Sequence, residues 1–429
     1  VGVRQELEER VGQAVAGRLP EVLDLYRHLH AHPELSGQEA ATAALAAREL
    51  KRAGFETITG LGGHGVAGRL SRGPGRRLLL RCDMDALPLR EQTGLPYASA
   101  QEATVLGGEA VAVMHACGHD VHTAAVLGAS RILAEMEGAW AGELMVACQP
   151  AEETVGGAKL MLADGLYERL GRPDWALALH VRPELAAGTV GLGEGVRTAG
   201  SLSLDVTIRG RGGHGAVPHK AVDPVVLAAQ FVLAAQSVVS RETDPAEMVV
   251  VSIGSIHGGA KRNIIPEAVE LKLTVRSYRE AVGEAAARAL ERHARGLALA
   301  AGLSEDEMPV FRHAEPPFRP LVNDGRLAKT LRDVFSRILG PDKVLPLPPS
   351  AGSEDFSDFS PPHAPVPLCL YQLGCTAPER LARAESGAEP LGLLHTPRFA
   401  PEAEGTLRTG MKTLVAAALR LLGNTGTDP

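Results

Sequence analysis

Residues 114–123 read Met-His-Ala-Cys-Gly-His-Asp-Val-His-Thr and hold His115, Cys117, His119, Asp120 and His122 within ten positions. A thiolate, an imidazole and a carboxylate this close supply half of a metal site. Sulfur with imidazole nitrogen suits zinc and its first-row neighbours. Gly118 lets the backbone bend so that Cys117 and His119 reach one point. The same stretch also reads as an ordinary helix start, with Asp120 as N-cap ahead of Thr123, Ala124, Ala125, Val126 and Leu127. The two readings are compatible, because the positive end of a helix dipole favours a thiolate at Cys117.

Other chemistry-bearing residues stand at the ends of apolar runs. Leu78-Leu79-Leu80 leads to Asp83 and Asp85, two apart and therefore on one face of a strand. Leu144 to Cys148 ends in Gln149-Pro150-Ala151-Glu152-Glu153. Trp175 to Val181 carries His180 at its end, and His395 lies in Leu394-His395-Thr396-Pro397. Taken singly, each is more often a solvated acid pair or a satisfied polar residue than a ligand. Strands alternating with helices, however, predict a sheet that brings these ends together along one edge. Carboxylates beside a core are costly unless a cation or hydrogen bonds offset them, so a pair of metal ions is the economical explanation. Neighbours on an extended segment point opposite ways. One of Glu152 and Glu153 is thus expected to bind metal while the other faces the substrate as a general base.

The elements that must position these groups follow from the pattern. Pro20 opens a helix that ends at Pro33, and Ser36 opens an Ala-rich one closed by Gly54. Gly65 to Leu70 and Arg77 to Met84 flank Gly73-Pro74-Gly75 and read as a hairpin. From Val196 the texture changes. Leu202 to Ile208 alternates as a sheet with one exposed face should. Strands and helices then follow in β-α-β-β-α-β order to His313, which predicts a ferredoxin-like α+β domain. After Glu315-Pro316-Pro317 the α/β texture returns, with helices over 323–339 and 406–422 and a strand from Val366 to Leu373.

Bulk numbers narrow the class. A chain of 429 residues exceeds one typical core, and 45% hydrophobic with 22% charged residues is ordinary for a globular enzyme. A net charge of −7 argues against nucleic acid or an anionic membrane as partner. The five cysteines are odd in number, with no CxxC pair, which predicts free thiols in a reducing compartment. Val1 to Arg18 has no apolar signal core, and no uninterrupted apolar run reaches the roughly 18 residues of a membrane span. The expectation is a cytoplasmic protein.

Together the motifs resemble the dinuclear metallo-amidohydrolases of peptidase family M twenty, in the branch of hippurate hydrolases, auxin-conjugate hydrolases and bacterial aminoacylases. The matching stretches are Arg-Cys-Asp-Met-Asp-Ala-Leu-Pro at 81–88, His-Ala-Cys-Gly-His-Asp at 115–120, Gln-Pro-Ala-Glu-Glu at 149–153 and Leu-His-Val at 179–181. They continue with Gly-Gly-His-Gly-Ala-Val-Pro-His at 212–219, Asn-Ile-Ile-Pro-Glu at 263–267, Ser-Glu-Asp-Phe at 353–356, and His395. The resemblance implies that Cys117, His119, Glu153, His180 and His395 ligate two divalent metal ions. It makes Glu152 the general base and acid, and Asp85 the carboxylate that orients a ligand histidine. Asp83 stands where other branches place a histidine ligand, which leaves the metal open between zinc, manganese, cobalt and nickel. His214 matches a residue that reaches into the partner subunit's site and steadies the oxyanion. Asn263 and Arg276 match residues that hold the substrate carbonyl and carboxylate, a task suited to a forked guanidinium. Val121, Thr154, Val155, Ser353 and Cys82 depart from the family's usual residues without removing a ligand.

The expected architecture is α/β. A discontinuous zinc-peptidase-like catalytic domain, a mixed sheet with flanking helices, spans 1–195 and 316–429. An inserted ferredoxin-like α+β lid and dimerisation domain spans 196–315. The implied reaction is hydrolysis of the amide of an N-acyl amino acid: a metal-bridging hydroxide attacks, the metals and His214 steady the oxyanion, and Glu152 carries the proton to the leaving amine. The near alternative is a metallo-carboxypeptidase or dipeptidase acting on short peptides. A metal-stabilised binding protein would need no spare base beside Glu153. A hydrolase with Cys117 as nucleophile lacks a separate base and a third orienting group. A homodimer or homotetramer through the lid domain is expected.

Overall fold

Leu78-Leu79-Leu80 is buried on both faces, so it can lie only where strands flank it on both sides and helices cover it. The computed structural model, which describes residues 2–423 apart from Leu106 and Val155, places it there. An eight-stranded mixed sheet runs in the order Glu56–Leu61, Gly65–Arg72, Gly142–Gln149, Arg77–Asp83, Trp175–Ala186, Leu368–Thr376, Val190–Leu192, Val344–Pro346. Gly142–Gln149, Arg77–Asp83, Trp175–Ala186 and Leu368–Thr376 are mutually parallel neighbours. The helices His119–Glu135 and Ala403–Leu422 are buried along nearly their whole length and share a core with Leu78, Leu80, Val146 and Leu179.

The expected hairpin between Gly65–Leu70 and Arg77–Met84 does not form. Gly142–Gln149 inserts between them, antiparallel to the first and parallel to the second. The glycine turn makes room for it. Gly142 (φ 94°) passes so close that a Cβ there would stand 2.2 Å from the Arg76 carbonyl oxygen, and Glu143 N–H donates to that oxygen.

Nor does Pro20 open a separate helix. The first helix runs without a break over Gly2–Ala31. Val11, Val15, Leu19, Val22, Tyr26 and Leu29 form one buried stripe across the proline, which itself faces solvent. Tertiary packing of that stripe outweighs the missing N–H. The next helix starts at Ala40 rather than at Ser36. The Glu34 carboxylate takes the N–H groups of Ala41 and Thr42 at 3.0 and 2.7 Å, leaving the Ser36 hydroxyl for another partner.

The chain divides into two compact units: Val1–Gly195, Val322–Pro348 and Asp355–Pro429 form one, Val196–Leu321 with Pro349–Glu354 the other. The second is built on an antiparallel sheet in the order Val249–Gly258, Ala268–Ser277, Gly200–Arg209, Val310–His313. Its helices Pro224–Ser237 and Glu280–Ala300 pack Phe231 and Leu290 against Leu204, Leu271 and Leu273. Asp223 caps the first by accepting from Val225 N–H at 2.9 Å, with Pro224 in the first turn. The helical stretch Pro224–Glu242 is long and apolar enough to cross a membrane by length and composition, although no uninterrupted run of that kind stands out in the sequence. Leu227, Phe231 and Ala235 on it belong to this unit's core.

In the first unit His30 is fully buried between two acids, Asp120 at 2.6 Å and Glu91 at 3.1 Å. Burial disfavours its charge, but hydrogen bonds and Coulomb attraction from Asp120 and Glu91 win and raise its pKa to about 10. Because the folded value lies above the unfolded one, the stabilisation is complete below pH 6.5 and is lost as pH rises through about 10. Denaturant titrations are expected to show stability falling from pH 7 to pH 10, and His30→Gln to flatten that slope. An equally steep slope in the variant would show that another group carries it.

Candidate metal centre

Asp83 and Gln149 end adjacent parallel strands in register, and the next strand in the sheet carries His180. That strand continues to Ala186, so His180 lies within it rather than at its end. The helix that delivers His119 starts at His119 itself, with Gly118 as N-cap; Asp120 is not the cap expected from the sequence. Its carboxylate is occupied by His30 and by the N–H of Val121. Gly118 has φ 79°, and a Cβ there would meet Val181 Cγ2 at 2.4 Å, so neither the turn nor the space admits another residue.

Five expected ligands from distant segments meet. Cys117 Sγ stands 3.5 Å from His180 Nε2 and 3.3 Å from His395 Nε2. His395 Nε2 is 3.3 Å from Glu153 Oε1, and His119 Nε2 is 3.9 Å from the same oxygen. Glu152 Oε2 lies 4.0 Å from His119 Nε2. Of the groups of described residues whose ligand atoms lie within 4.8 Å of one another, three combine these side chains: Cys117, His119 and His180; Cys117, Glu153 and His395; His119, Glu152 and Glu153.

Glu152 and Glu153 therefore do not point apart, as an extended segment would require. The chain turns here, and Ala151 adopts a left-handed φ of 50°. His395, at φ 59°, is the other non-glycine residue with positive φ among the described residues. Among the described residues, positive φ outside glycine thus falls on the two segments that carry Glu152, Glu153 and His395.

A buried network aims the donors. His119 Nδ1 donates to the Asp85 carbonyl at 2.9 Å and to Asp85 Oδ1 at 3.2 Å. The other Asp85 oxygen accepts from Ser36 Oγ at 2.6 Å and from Glu153 N–H at 2.9 Å. His180 Nδ1 donates to the Val181 carbonyl at 2.8 Å, leaving Nε2 toward Cys117. His122 Nε2 accepts from Val181 N–H at 2.9 Å, so its proton sits on Nδ1 and is donated to Asp83 at 2.6 Å. Arg81, also buried, donates to Asp83, Gln149 and Asp355. Asp83 is thereby committed to Arg81 and His122, 3.8 Å from His119 Nε2.

Ser36, Glu39, Arg81, His122, Gln149 and Asp355 are supports that spacing alone does not mark as such. Arg81, His122, Gln149 and Asp355 lie inside quoted stretches, but only the fold shows what they hold. The expected departures Val121 and Thr154 are in place without displacing a donor; Val155 lies outside the described residues.

The donor set fits divalent cations. His119 Nε2 and Glu153 Oε1 are buried without a hydrogen-bond partner, which is costly unless a cation takes them. Burial pushes the Cys117 thiol well up, so it is a poor free nucleophile. Burial also opposes charge on His119, but Asp83 and Cys117 outweigh it and hold its pKa well above the usual value. Burial disfavours the Glu153 carboxylate too, yet His395 and His119 keep it ionised below the usual range.

His214, Asn263 and Arg276 belong to the second unit. His214 pairs with Ile264, and the Asn263 carbonyl accepts from Gly215 N–H at 2.9 Å, so His214 and Asn263 are neighbours. Ala216 N–H donates to His214 Nδ1 at 3.0 Å, which places the neutral imidazole's proton on Nε2. Arg276 is on the other sheet and donates to the Ala351 carbonyl and Ser353 Oγ at 3.0 and 3.1 Å.

A family model described as peptidase family M20/M25/M40 matches residues 79–386. The hippurate hydrolase of Campylobacter jejuni is 36% identical over 350 residues, 80% of this chain and 87% of that protein. The N-acetyl-L-cysteine deacetylase of Bacillus subtilis is 35% identical over 340 residues, 79% of this chain and 77% of its own. Among solved structures, the YXEP protein of Bacillus subtilis, described as a dinuclear metal-binding peptidase from the M20 family, superposes with a TM-score of 0.77. It is 27% identical and covers 95% of this chain and 99% of its own.

A metal ion taken by Cys117 and His119 would displace their protons, held by the raised pKa values of both groups. Affinity for zinc or manganese is therefore expected to rise from pH 6 to pH 8. Calorimetry in buffers of different ionisation enthalpy should detect about one or more protons released per chain. Binding that is independent of both pH and buffer would exclude these two donors.

Proposed function

The chain belongs to peptidase family M20/M25/M40, and from that premise we propose that it hydrolyses the amide of N-acyl amino acids with two divalent metal ions. The observation that carries the proposal is the convergence of Cys117, His119, Glu153, His180 and His395 with Glu152 alongside. Such ions, when bound, polarise the scissile carbonyl and acidify a water.

Cys117, His119, Glu153, His180 and His395 would hold them. Asp85 keeps the His119 proton on Nδ1 and so turns Nε2 inward. Glu152 accepts a proton from the water as its oxygen bonds to the carbonyl carbon, and delivers that proton to the amine nitrogen as the C–N bond breaks. His214 offers an outward Nε2–H to the oxyanion of a partner subunit's substrate, a role its tautomer supports. Asn263 holds the substrate carbonyl, and Arg276 its α-carboxylate. The names of the relatives favour acylated amino acids. A dipeptidase or carboxypeptidase on the same residues is the second reading, favoured by the peptidase YXEP. Zinc, manganese, cobalt and nickel all suit the mixed donor set.

The second unit would act as lid and dimer surface. Leu233 (74% exposed), Val226 and Val225 on the helix Pro224–Ser237, with Val250 and Ile256 on the edge strand Val249–Gly258, offer apolar area to a second copy. The thiol state of Cys82, Cys117, Cys148 and Cys375 supports a cytoplasmic location.

Glu152→Gln is expected to retain bound metal and lose at least about 10²-fold in kcat on N-acetyl or N-benzoyl amino acids. Turnover near wild type would remove Glu152 from the mechanism, and faster cleavage of dipeptides by the wild type would favour the second reading. Leu233→Glu should give monomers in sedimentation, with kcat falling as the partner's His214 is withdrawn. A dimer that persists would move the interface elsewhere.

A further inference from the structure

The side chain before a helix ordinarily caps that helix. Glu39 precedes Ala40–Arg52 yet makes no such bond; Glu34 takes the Ala41 and Thr42 N–H groups instead. Glu39, fully buried, reaches across to another segment. Its Oε1 accepts from Ala151 N–H at 2.8 Å and from Gly37 N–H at 2.8 Å. Its Oε2 is buried with no hydrogen-bond partner. A side chain that leaves its cap and buries an unpartnered oxygen carries a cost, and what it obtains is a hold on Ala151.

Ala151 is one of the strained residues, at φ 50°. The turn it makes brings Glu152 Oε2 and Glu153 Oε1 to 4.0 and 3.9 Å from the same His119 nitrogen. From the same loop as Glu39, Ser36 shares Asp85 Oδ2 with Glu153 N–H. The loop between the first two helices therefore holds Ala151 directly and reaches Glu153 through Asp85. We propose that Glu39 is a positioning residue: by holding Ala151 in the left-handed conformation it aims Glu152 and Glu153 at the metal centre. The inference rests on the reading of Glu152 as base and Glu153 as ligand.

The test compares Glu39→Ala, Glu39→Gln, Ala151→Gly and the double variant Glu39→Ala/Ala151→Gly by steady-state kinetics and by cobalt titration of the metal-free protein. Glu39→Ala is expected to lower kcat and cobalt affinity at least about tenfold each, the scale on which supporting residues act, with KM within about threefold. Glu39→Gln keeps an oxygen for the Ala151 N–H and should stay within about threefold of wild type. Glycine adopts positive φ without strain, so Ala151→Gly should restore about threefold or more of both losses in the Glu39→Ala background. A merely structural role for Glu39 would not respond to residue 151. Wild-type values in Glu39→Ala, no recovery in the double variant, or a Glu39→Gln as impaired as Glu39→Ala would each overturn the proposal. Should Glu39→Ala not fold, Ala151→Val takes its place, because a β-branched residue resists this conformation. It should bind cobalt at least about tenfold more weakly than Ala151→Gly, and equal affinities would overturn the proposal. A wild type inactive on every N-acyl amino acid would instead sink the functional reading, while the cobalt comparison still decides the role of Glu39.

Discussion

Acidic side chains cannot share a dry space unless positive charge stands between them. Around His119 the chain gathers Asp83, Asp85, Glu152, Glu153 and the thiol of Cys117. Arg81 and His122 answer for Asp83, and Asp85 is consumed by His119, Ser36 and a backbone N–H. That leaves Cys117 and Glu153 facing the Nε2 atoms of His119 and His395. Protons can neutralise the cluster, as the raised pKa of His119 shows, but divalent cations satisfy every donor at once.

This requirement explains the architecture around it. Parallel strands run side by side, so that Asp83 and Gln149 at the ends of two of them neighbour the strand that carries His180. The helix His119–Glu135 starts on a left-handed glycine with no room for a side chain. Ala151 and His395 accept strained backbone conformations, each tied by its N–H, to Glu39 and to the Ala116 carbonyl respectively. His30 fastens Asp120, next to His119, to Glu91 deep in the same unit. Rigid supports of this kind keep donor atoms where coordination needs them.

Much of this was legible in residue types. The alternation of apolar runs and helical stretches indicated the α/β unit, and the β-α-β-β-α-β pattern indicated one sheet with two helices for the second, whose strand order only the fold shows. The candidate donors stood out through the order and spacing of their motifs, since each taken singly reads as a solvated or satisfied polar group. What escaped were facts of tertiary placement. Two strands joined by a short glycine turn look like a hairpin, and nothing local reveals that a strand some sixty residues later inserts between them. Pro20 signals a break that a continuous buried stripe overrides. Asp120 looks like a cap until His30, far away in sequence, claims its carboxylate. The directions of Glu152 and Glu153 depend on the conformation of Ala151, which an alanine does not announce.

The most direct test of the central claim is anomalous diffraction from crystals grown with manganese or zinc. Two peaks are predicted, bounded by Cys117, His119, Glu153, His180 and His395, with ligand distances of about 2.0–2.3 Å for zinc and Glu152 near both. Cys117, Glu153 and His395 turned toward different regions, with no anomalous density between them, would contradict the account.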